Sequence, residues 1–254
     1  MVVKVVQLTD THLFRTPEQT QKGVNTYESL KSVVSHVTAN HSDLDAVLLT
    51  GDLSQDETPE SYDRLKELLA PIGHVPMYAI PGNHDDLDHM QKRLASVGIC
   101  VLSDARLGNW RIAMLNSQVP GRVHGELGQE QIEGLSDSLR TSGDHTIVAI
   151  HHPPVVVNSA WIDASRCLDG EELLAVTSNP PVKVVVCGHV HQVFESAHEG
   201  VAILTSPSTC VQFEPDRDDF AIDDNAPGYR VFNLEQDGNW STTVHRIEPS
   251  META

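Results

Sequence analysis

The segment Val5-Val6-Gln7-Leu8-Thr9-Asp10-Thr11-His12 shows the pattern that decides the fold of this chain. An apolar run of strand length, Val2–Leu8, is followed at once by the polar residues Asp10 and His12. In an extended segment, residues two apart point to the same side, so we expect Asp10 and His12 to bind one ion together. The carboxyl end of a strand is also where open α/β sheets bind their ligands.

Four later apolar runs end in the same way, each on a short polar motif. The motifs are Thr50-Gly51-Asp52, Pro81-Gly82-Asn83-His84-Asp85, His151-His152-Pro153-Pro154 and Gly188-His189-Val190-His191. Each motif alone is also typical of a turn, a helix cap or a buried core histidine. Five such motifs in succession, with mixed Asp, Asn and His donors, predict a metal site at one sheet edge.

The rest of the chain predicts the fold around that edge. Strand-like runs are Val2–Leu8, Ala46–Leu49, Val75–Ile80, Ile99–Leu102, Trp110–Leu115, Thr146–Ile150, Val182–Cys187 and Val201–Thr205. Helix-period segments are Tyr27–Val37, the segment after Thr58-Pro59, Leu87–Val97 and Gln129–Leu139. This alternation indicates βαβ units around a largely parallel sheet. The later runs Tyr229–Leu234 and Ser241–Ile247 are typical of hairpins and predict a second sheet. We therefore predict an α/β sheet sandwich with helices outside, as a single domain over residues 1–254.

Composition narrows the classes of partner. The chain of 254 residues has 36 Asp and Glu against 17 Lys and Arg, which gives a formal net charge of −19. A surface of this charge repels duplex DNA and anionic membranes, so we expect neither a nucleic-acid polymer nor a membrane as partner. No apolar run approaches the ~20 residues of a membrane span, and the first residues lack a secretory signal. The four cysteines form no C-x-x-C pair, which favours a reducing, cytoplasmic location.

The ordered set of motifs resembles that of the calcineurin-like dinuclear metallophosphoesterases. Five segments resemble the bacterial class III cyclic-AMP phosphodiesterases, and the likeness runs over essentially the whole chain; the last three of these segments carry no metal ligands. The five segments are Thr9–Phe14, Gly51–Asp56, His124–Leu127, Pro207–Phe213 and Ala226–Arg230. The resemblance implies a four-layer αββα fold, in which a two-sheet β-sandwich is flanked by helices.

The resemblance also implies a ligand set for two metal ions bridged by Asp52. One ion would be held by Asp10, His12, Asp52 and His191, and the other by Asp52, Asn83, His151 and His189. The implied metals are iron with a second divalent ion, or manganese, while nitrogen and oxygen donors without thiolate also suit zinc or cobalt.

The implied reaction is hydrolysis of 3′,5′-cyclic AMP to 5′-AMP by a hydroxide that bridges the two metals. Catalysis would involve His84, Asn83 and Asp52. The substrate would be bound by His12, Asp52, Asn83, His84 and His191. His84 would lie beside the phosphate and protonate the leaving 3′ oxygen. Asp85 would either orient His84 or a ligand, or cap the helix before Leu87. His152 would pack or hydrogen-bond nearby without binding metal, and His124 would approach the substrate.

Several alternatives stay open on the sequence alone. The main one is another small phosphodiester, such as a 2′,3′-cyclic nucleotide or a glycerophosphodiester, because a metal centre recognises phosphate and not a base. Protein phosphatases that resemble this chain at the metals typically have an arginine after the Gly-Asp motif and a glutamate after Gly-Asn-His. Here the corresponding residues are Leu53-Ser54-Gln55-Asp56 and Asp85, and few arginines are present to bind a phosphomonoester, so this activity is disfavoured. A DNA nuclease is opposed by the charge, and a non-catalytic scaffold by the complete ligand set. We expect a monomer or a homodimer.

Overall fold

The computed structural model describes residues 2–178 and 180–248, where strands and helices alternate along much of the chain. The strands are β1 (Val3–Leu8), β2 (Thr20–Gln21), β3 (Val24–Asn25), β4 (Ala46–Thr50), β5 (Met77–Ile80), β6 (Cys100–Val101), β7 (Ala105–Leu107), β8 (Trp110–Met114), β9 (His145–Ala149), β10 (Val182–Cys187), β11 (Glu195–His198), β12 (Val201–Thr205), β13 (Gln212–Phe213), β14 (Ile222–Asp223), β15 (Gly228–Leu234) and β16 (Trp240–Arg246). The helices are α1 (Thr26–Asn40), α2 (Pro59–Leu69), α3 (Leu87–Leu94), α4 (Gly128–Thr141), α5 (Ala160–Asp163) and α6 (Gly170–Thr177). The predicted domain also includes Met1, Asn179 and residues 249–254, which lie outside the described residues.

Two six-stranded mixed sheets form the centre of the molecule. The first has the order β16-β15-β1-β4-β5-β6, and its strands β1, β4, β5 and β6 are parallel. The second has the order β11-β12-β10-β9-β8-β7, and its strands β12, β10, β9 and β8 are parallel. Each sheet therefore presents the carboxyl ends of several adjacent parallel strands at one edge.

Apolar side chains fill the three interfaces between four layers. Between the sheets, residues of both meet, among them Trp110 and Phe232. Outside the first sheet, the apolar faces of α1, α2 and α3 pack on its strands, and α4 and α6 cover the second sheet in the same way. The strands between these layers are apolar on both faces, as buried parallel strands are. The predicted αββα arrangement is confirmed.

Local signals explain where the helices begin. Thr58 caps α2 by accepting a hydrogen bond from the backbone N–H of Ser61, with Pro59 in the first turn. Asn25 caps α1 and Asp86 caps α3 in the same manner. These helices begin where the sequence predicts them. None of the helices in the described ranges is long and apolar enough to cross a membrane.

The prediction for the last two strands was wrong. The hairpin of β15 and β16 does not start a second sheet but extends the first one, because β15 pairs antiparallel with β1. The second sheet is built instead from the middle of the chain, β7 to β12. Sequence patterning missed the short helix α5 and the helix α6, because their apolar residues span too few turns to show a helical period.

A histidine cluster lies between α1 and the hairpin, well apart in sequence from the five motifs. The hydroxyl of Tyr229 lies 2.8 Å from His36 Nδ1 and 2.9 Å from His41 Nε2. The ring of His245 stacks on Tyr229 with centroids 4.9 Å apart. Burial and the neighbouring histidines lower the pKa of His41 and of His245, while Lys4 lowers and Asp43 raises that of His41.

This cluster predicts a loss of stability on acidification. Below the unfolded-state pKa of about 6.5, the unfolded chain binds protons that the folded cluster does not, so stability decreases as the pH decreases. Between pH 7.5 and 5.5, the melting temperature of His245→Gln should therefore decrease less than that of the wild type. The matched control is His198→Gln, an exposed histidine on β11. An equal loss in the wild type and both variants would contradict the prediction.

Candidate metal centre

The five motifs meet at the edge where the carboxyl ends of both sheets converge. The loops after β1 and β4 run side by side, with the backbone N–H of Asp10 donating to Gly51 O at 3.0 Å and that of His12 to Asp52 O at 2.9 Å. The two sheets are joined by the carboxylate of Asp10, which accepts from the backbone N–H of His189 at 3.0 and 3.1 Å. The predicted convergence of the motifs is confirmed.

The backbone at this edge is not extended, contrary to the sequence prediction. Positive φ angles occur at five of the candidate ligands, a region that non-glycine residues seldom adopt. These residues are Asp10 (53°), His12 (44°), Asp52 (49°), His189 (72°) and His191 (49°). Left-handed turns, and not strand alternation, therefore aim these side chains at a common point.

Two glycines allow the loops to approach each other. Gly51 has a φ of 91°, and a Cβ atom there would overlap the ring of His151. A Cβ atom on Gly82 would overlap both the backbone and the carboxylate of Asp52. Only glycine provides this space.

Replacement of Gly82 by alanine should therefore disturb the site and the fold together. We expect a melting temperature several degrees lower and weaker metal binding, since Asp52 must move. Gly134→Ala is the matched control, because Gly134 is an exposed residue of α4 with open space around it. That control should gain roughly 0.5–1 kcal/mol from the better helix propensity of alanine. Thermal unfolding measures both effects. An unchanged melting temperature in Gly82→Ala would contradict the close approach of Gly82 to Asp52.

The side-chain donors form two overlapping groups. In one, His12 Nε2 lies 3.0 Å from His191 Nε2 and 3.7 Å from Asp52 Oδ2, while Asp10 Oδ1 lies 3.5 Å from His191 Nε2. In the other, Asp52 Oδ1 lies 3.4 Å from His151 Nε2. In two triads the ligand atoms all lie within 4.8 Å of one another. One triad is Asp10, His12 and His191, and the other is Asp10, Asp52 and His151. Asp52 thus faces both groups.

Partners outside the cluster fix which ring nitrogen faces it. Nδ1 of His151 lies 2.7 Å from Thr50 O, and Nδ1 of His191 lies 2.8 Å from Val211 O. Because a carbonyl only accepts, each Nδ1 carries a hydrogen, and Nε2 is the nitrogen that would bind a metal once it has lost its proton. His189 has Nε2 beside the hydroxyl of Ser165, at 3.1 Å, so Nδ1 is its candidate nitrogen for a metal.

The electrostatics also favour cations. Burial lowers the pKa of both His12 and His189 to about 3, so these rings are neutral and able to bind metal. Burial acts to lower the pKa of His151, but the Asp52 carboxylate outweighs it and raises that pKa to about 9. In the described ranges, the carboxylates of Asp10 and Asp52 have only histidines as ion-pair partners.

The donor set fits two metal ions. Its members are buried nitrogen and oxygen atoms without thiolate. Two of these atoms, Asn83 Oδ1 and His151 Nε2, are buried without a hydrogen-bond partner in the described part of the chain. Buried polar atoms are rarely left unpaired, so such a group points to a bound species. Asp52, which faces both donor groups, is suited to join two cations.

His84 lies at the rim of this centre. Its ring centroid is 5.2 Å from that of His12, and its Nδ1 is 3.2 Å from Nε2 of Gln55. The backbone N–H of His84 donates to Asp52 Oδ1 at 2.8 Å. A cavity of about 590 Å³ opens here, lined by residues that include Asn83, His84 and Arg122. His84 is therefore half-buried and faces space in which a substrate can lie.

Asp85 does not cap α3, and its carboxylate lies between the two loops that carry Asp52 and Asn83. It accepts hydrogen bonds from the backbone N–H groups of Leu53, Ser54 and Gly82 and from the hydroxyl of Tyr62. The cap of α3 is the next residue, Asp86. Burial and the charge of Asp52 raise the pKa of Asp85 to about 6. Asp85 thus ties the Gly82–Asp85 turn to the loop that holds Asp52.

The other histidines near the site differ in their surroundings. Both ring nitrogens of His152 are occupied, by the hydroxyl of Ser117 at 2.8 Å and by Val123 O at 3.0 Å. The hydrogen bonds expected of His152 are present, while its not binding metal stays a prediction, because His152 also offers a ring nitrogen within 4.8 Å of ligand atoms of His151 and His189. His124 is partly buried in the neighbouring loop, and its approach to a substrate stays a prediction.

Sequence reasoning missed the partners that orient the ligands. Ser165 and the carbonyls of Thr50 and Val211 carry no signal of their own. Phe213, which stacks on His191, lies in the segment Pro207–Phe213. The family resemblance of this segment does not predict the contact of Phe213 with His191.

Comparison with known proteins agrees with the site. The family model described as calcineurin-like phosphoesterase matches residues 3–193. Over 248 residues the chain is 39% identical to a 3′,5′-cyclic adenosine monophosphate phosphodiesterase CpdA of Vibrio vulnificus, covering 96% of this chain and 90% of that protein. Over 251 residues it is 39% identical to a 3′,5′-cyclic-nucleotide phosphodiesterase of Nostoc sp., covering 98% and 94%. Among solved structures, purple acid phosphatase PPD1 from yellow lupin has a similar fold, with a TM-score of 0.71, 16% identity, and coverage of 97% of this chain and 52% of that one.

Proposed function

This chain belongs to the calcineurin-like phosphoesterase family, and from that premise we propose that it hydrolyses 3′,5′-cyclic AMP to 5′-AMP with two metal ions. The observation that carries the proposal is the pair of buried donor groups that share Asp52. The specific substrate is supported by the similarity to the Vibrio vulnificus phosphodiesterase, which extends over nearly the full length of both proteins.

The proposed ligands follow the two donor groups. Asp10, His12, Asp52 and His191 would hold one ion, and Asp52, Asn83, His151 and His189 the other. Their nitrogen and oxygen atoms suit iron with a second divalent ion, or manganese, and also zinc or cobalt. When bound, such ions neutralise phosphate charge and lower the pKa of water to near neutrality.

The chain's own residues then position and stabilise the phosphodiester. Asn83 precedes His84, whose backbone N–H donates to the shared Asp52. The Oδ1 atom of Asn83 is buried without a partner in the described residues and would be available to a metal, and its Nδ2 group would donate to a phosphate oxygen. His84 borders the cavity, and Gln55 holds its Nδ1 side, so Nε2 is free to face the phosphate. In this position His84 stabilises the charge of the transition state and protonates the leaving 3′ oxygen.

Charge supports a small substrate. The whole chain has a net charge of −19, so a long polyanion is repelled by most of the surface. Two divalent ions would make the centre itself positive and attract a single phosphodiester. All four cysteines are free, which is consistent with the reducing cytoplasm, where we propose that the protein works.

A second candidate is a broader phosphodiesterase for small cyclic nucleotides. It is favoured by the Nostoc relative, whose name specifies a cyclic nucleotide and not cyclic AMP. A substrate panel separates the two candidates: cyclic AMP, cyclic GMP, 2′,3′-cyclic AMP and bis-p-nitrophenyl phosphate, compared by kcat/KM with manganese or iron supplied. The proposal expects the highest value for 3′,5′-cyclic AMP. A clear preference for another member would establish the broader or a different activity.

A further inference from the structure

Three aromatic rings from separate segments meet beside the metal centre. Trp161 comes from α5, Phe213 from β13, and Phe220 from the loop before β14. The centroid of the Trp161 ring lies 5.2 Å from Phe213 and 5.1 Å from Phe220, and Phe213 and Phe220 are 5.3 Å apart. We call these three residues the aromatic cluster. All three contacts are edge-to-face, the geometry that aromatic pairs prefer.

The aromatic cluster is continuous with the proposed ligands. The ring of Phe213 stacks on His191 with centroids 4.1 Å apart and planes only 9° from parallel. His191 is further held by Val211 O, two residues before Phe213. Because Phe213 contacts His191 directly, the aromatic cluster begins next to a proposed metal ligand.

The aromatic cluster is only partly buried. Phe220 is 43% exposed, and Trp161 and Phe213 are half-buried, unlike the rings within the sheet core. The indole Nε1 of Trp161 is buried without a hydrogen-bond partner in the described ranges, so a donor here is left unsatisfied. Phe213 and Phe220 also lie beyond residue 193, where the match to the general family model ends.

We propose that the aromatic cluster is the nucleobase subsite, on which the base of the cyclic nucleotide stacks while its phosphate lies at the metal centre. The inference rests on the proposed function and specifies how a base is recognised. Bases stack on aromatic side chains irrespective of sequence, and a purine also brings ring nitrogens that can accept a hydrogen bond. The cavity beside His84 has no phenyl or indole ring in its lining, so it offers no such surface.

The test compares two substrates that differ only in the base. One is cyclic AMP and the other is methyl riboside 3′,5′-cyclic phosphate, which has the same phosphodiester ring without a base. Hydrolysis of both is followed by ³¹P NMR, and kcat/KM is measured with saturating manganese. The variants are Phe220→Leu and Trp161→Leu, because neither ring stacks on a proposed ligand. Asp219→Ala, the exposed neighbour of Phe220, is the matched control for the loop.

We expect the wild type to prefer cyclic AMP over the base-free analogue. Phe220→Leu and Trp161→Leu should each reduce that preference by roughly 10-fold, whereas Asp219→Ala should leave the ratio of the two substrates as it is. Two results would overturn the base subsite alone. One is an equal kcat/KM of the wild type for the two substrates, and the other is a decrease of kcat/KM in the two variants by the same factor for both substrates. Hydrolysis of neither substrate by the wild type would overturn the proposed function and the subsite with it.

Discussion

Asp52→Asn should lower kcat/KM for cyclic AMP by more than roughly 1,000-fold. Asp52 faces both donor groups, with its carboxylate oxygens 3.7 Å from His12 Nε2 and 3.4 Å from His151 Nε2. An amide has the same shape but no charge, so neither ion keeps its shared carboxylate. Loss of an outer hydrogen-bond partner of a metal ligand already costs about 10- to 100-fold. Loss of a shared ligand is expected to cost more.

Elemental analysis of the purified Asp52→Asn variant should show fewer than two metal ions per chain. The matched control is Asp137→Asn, an aspartate with 70% of its side chain exposed on α4. This control should bind metal and turn over substrate as the wild type does. Near wild-type turnover in Asp52→Asn would show that the two donor groups do not act as one centre.

His84→Ala should retain both metals and lose roughly 100- to 10,000-fold in kcat for cyclic AMP, the usual contribution of a general acid. The loss should depend on the leaving group. A ribose alkoxide needs a proton as it departs, whereas p-nitrophenolate does not. Hydrolysis of bis-p-nitrophenyl phosphate should therefore decrease much less than that of cyclic AMP. This contrast separates proton donation from a structural role.

The control for His84 is His74→Gln, because His74 is exposed and precedes β5, at the opposite end of that strand from the site. It should behave as the wild type with both substrates. If His84→Ala loses metal, or slows both substrates by the same factor, His84 holds the centre together and does not donate a proton.

The convergence of the motifs could be predicted from the sequence because each motif follows the end of a strand. Apolar runs such as Ala46–Leu49 are long enough to identify as strands, and the carboxyl ends of parallel strands meet at one edge. Asp52 and His151 are 99 positions apart in the sequence, yet each lies within three residues of the end of such a run. Their convergence needed only the αββα arrangement, which the four layers confirm.

What could not be predicted depends on tertiary pairing. Patterning identifies the last two strands but not their partner, and β15 pairs with β1 of the first sheet. The left-handed backbone of Asp10 and His12 is imposed by the neighbouring loop, since local propensity favours the extended form. The contact of Phe213 with His191 also arises only when β13 folds back over the centre.

The most direct test of the metal-dependent activity is a titration of metal-free protein with manganese, with 5′-AMP formation from cyclic AMP as the measurement. The metal-free protein should be inactive, and turnover should increase until two ions are bound per chain. The product should be 5′-AMP, because the 3′ oxygen is the leaving group. Full activity without metal, saturation at a single ion, formation of 3′-AMP, or no hydrolysis at two ions per chain would contradict the two-metal phosphodiesterase.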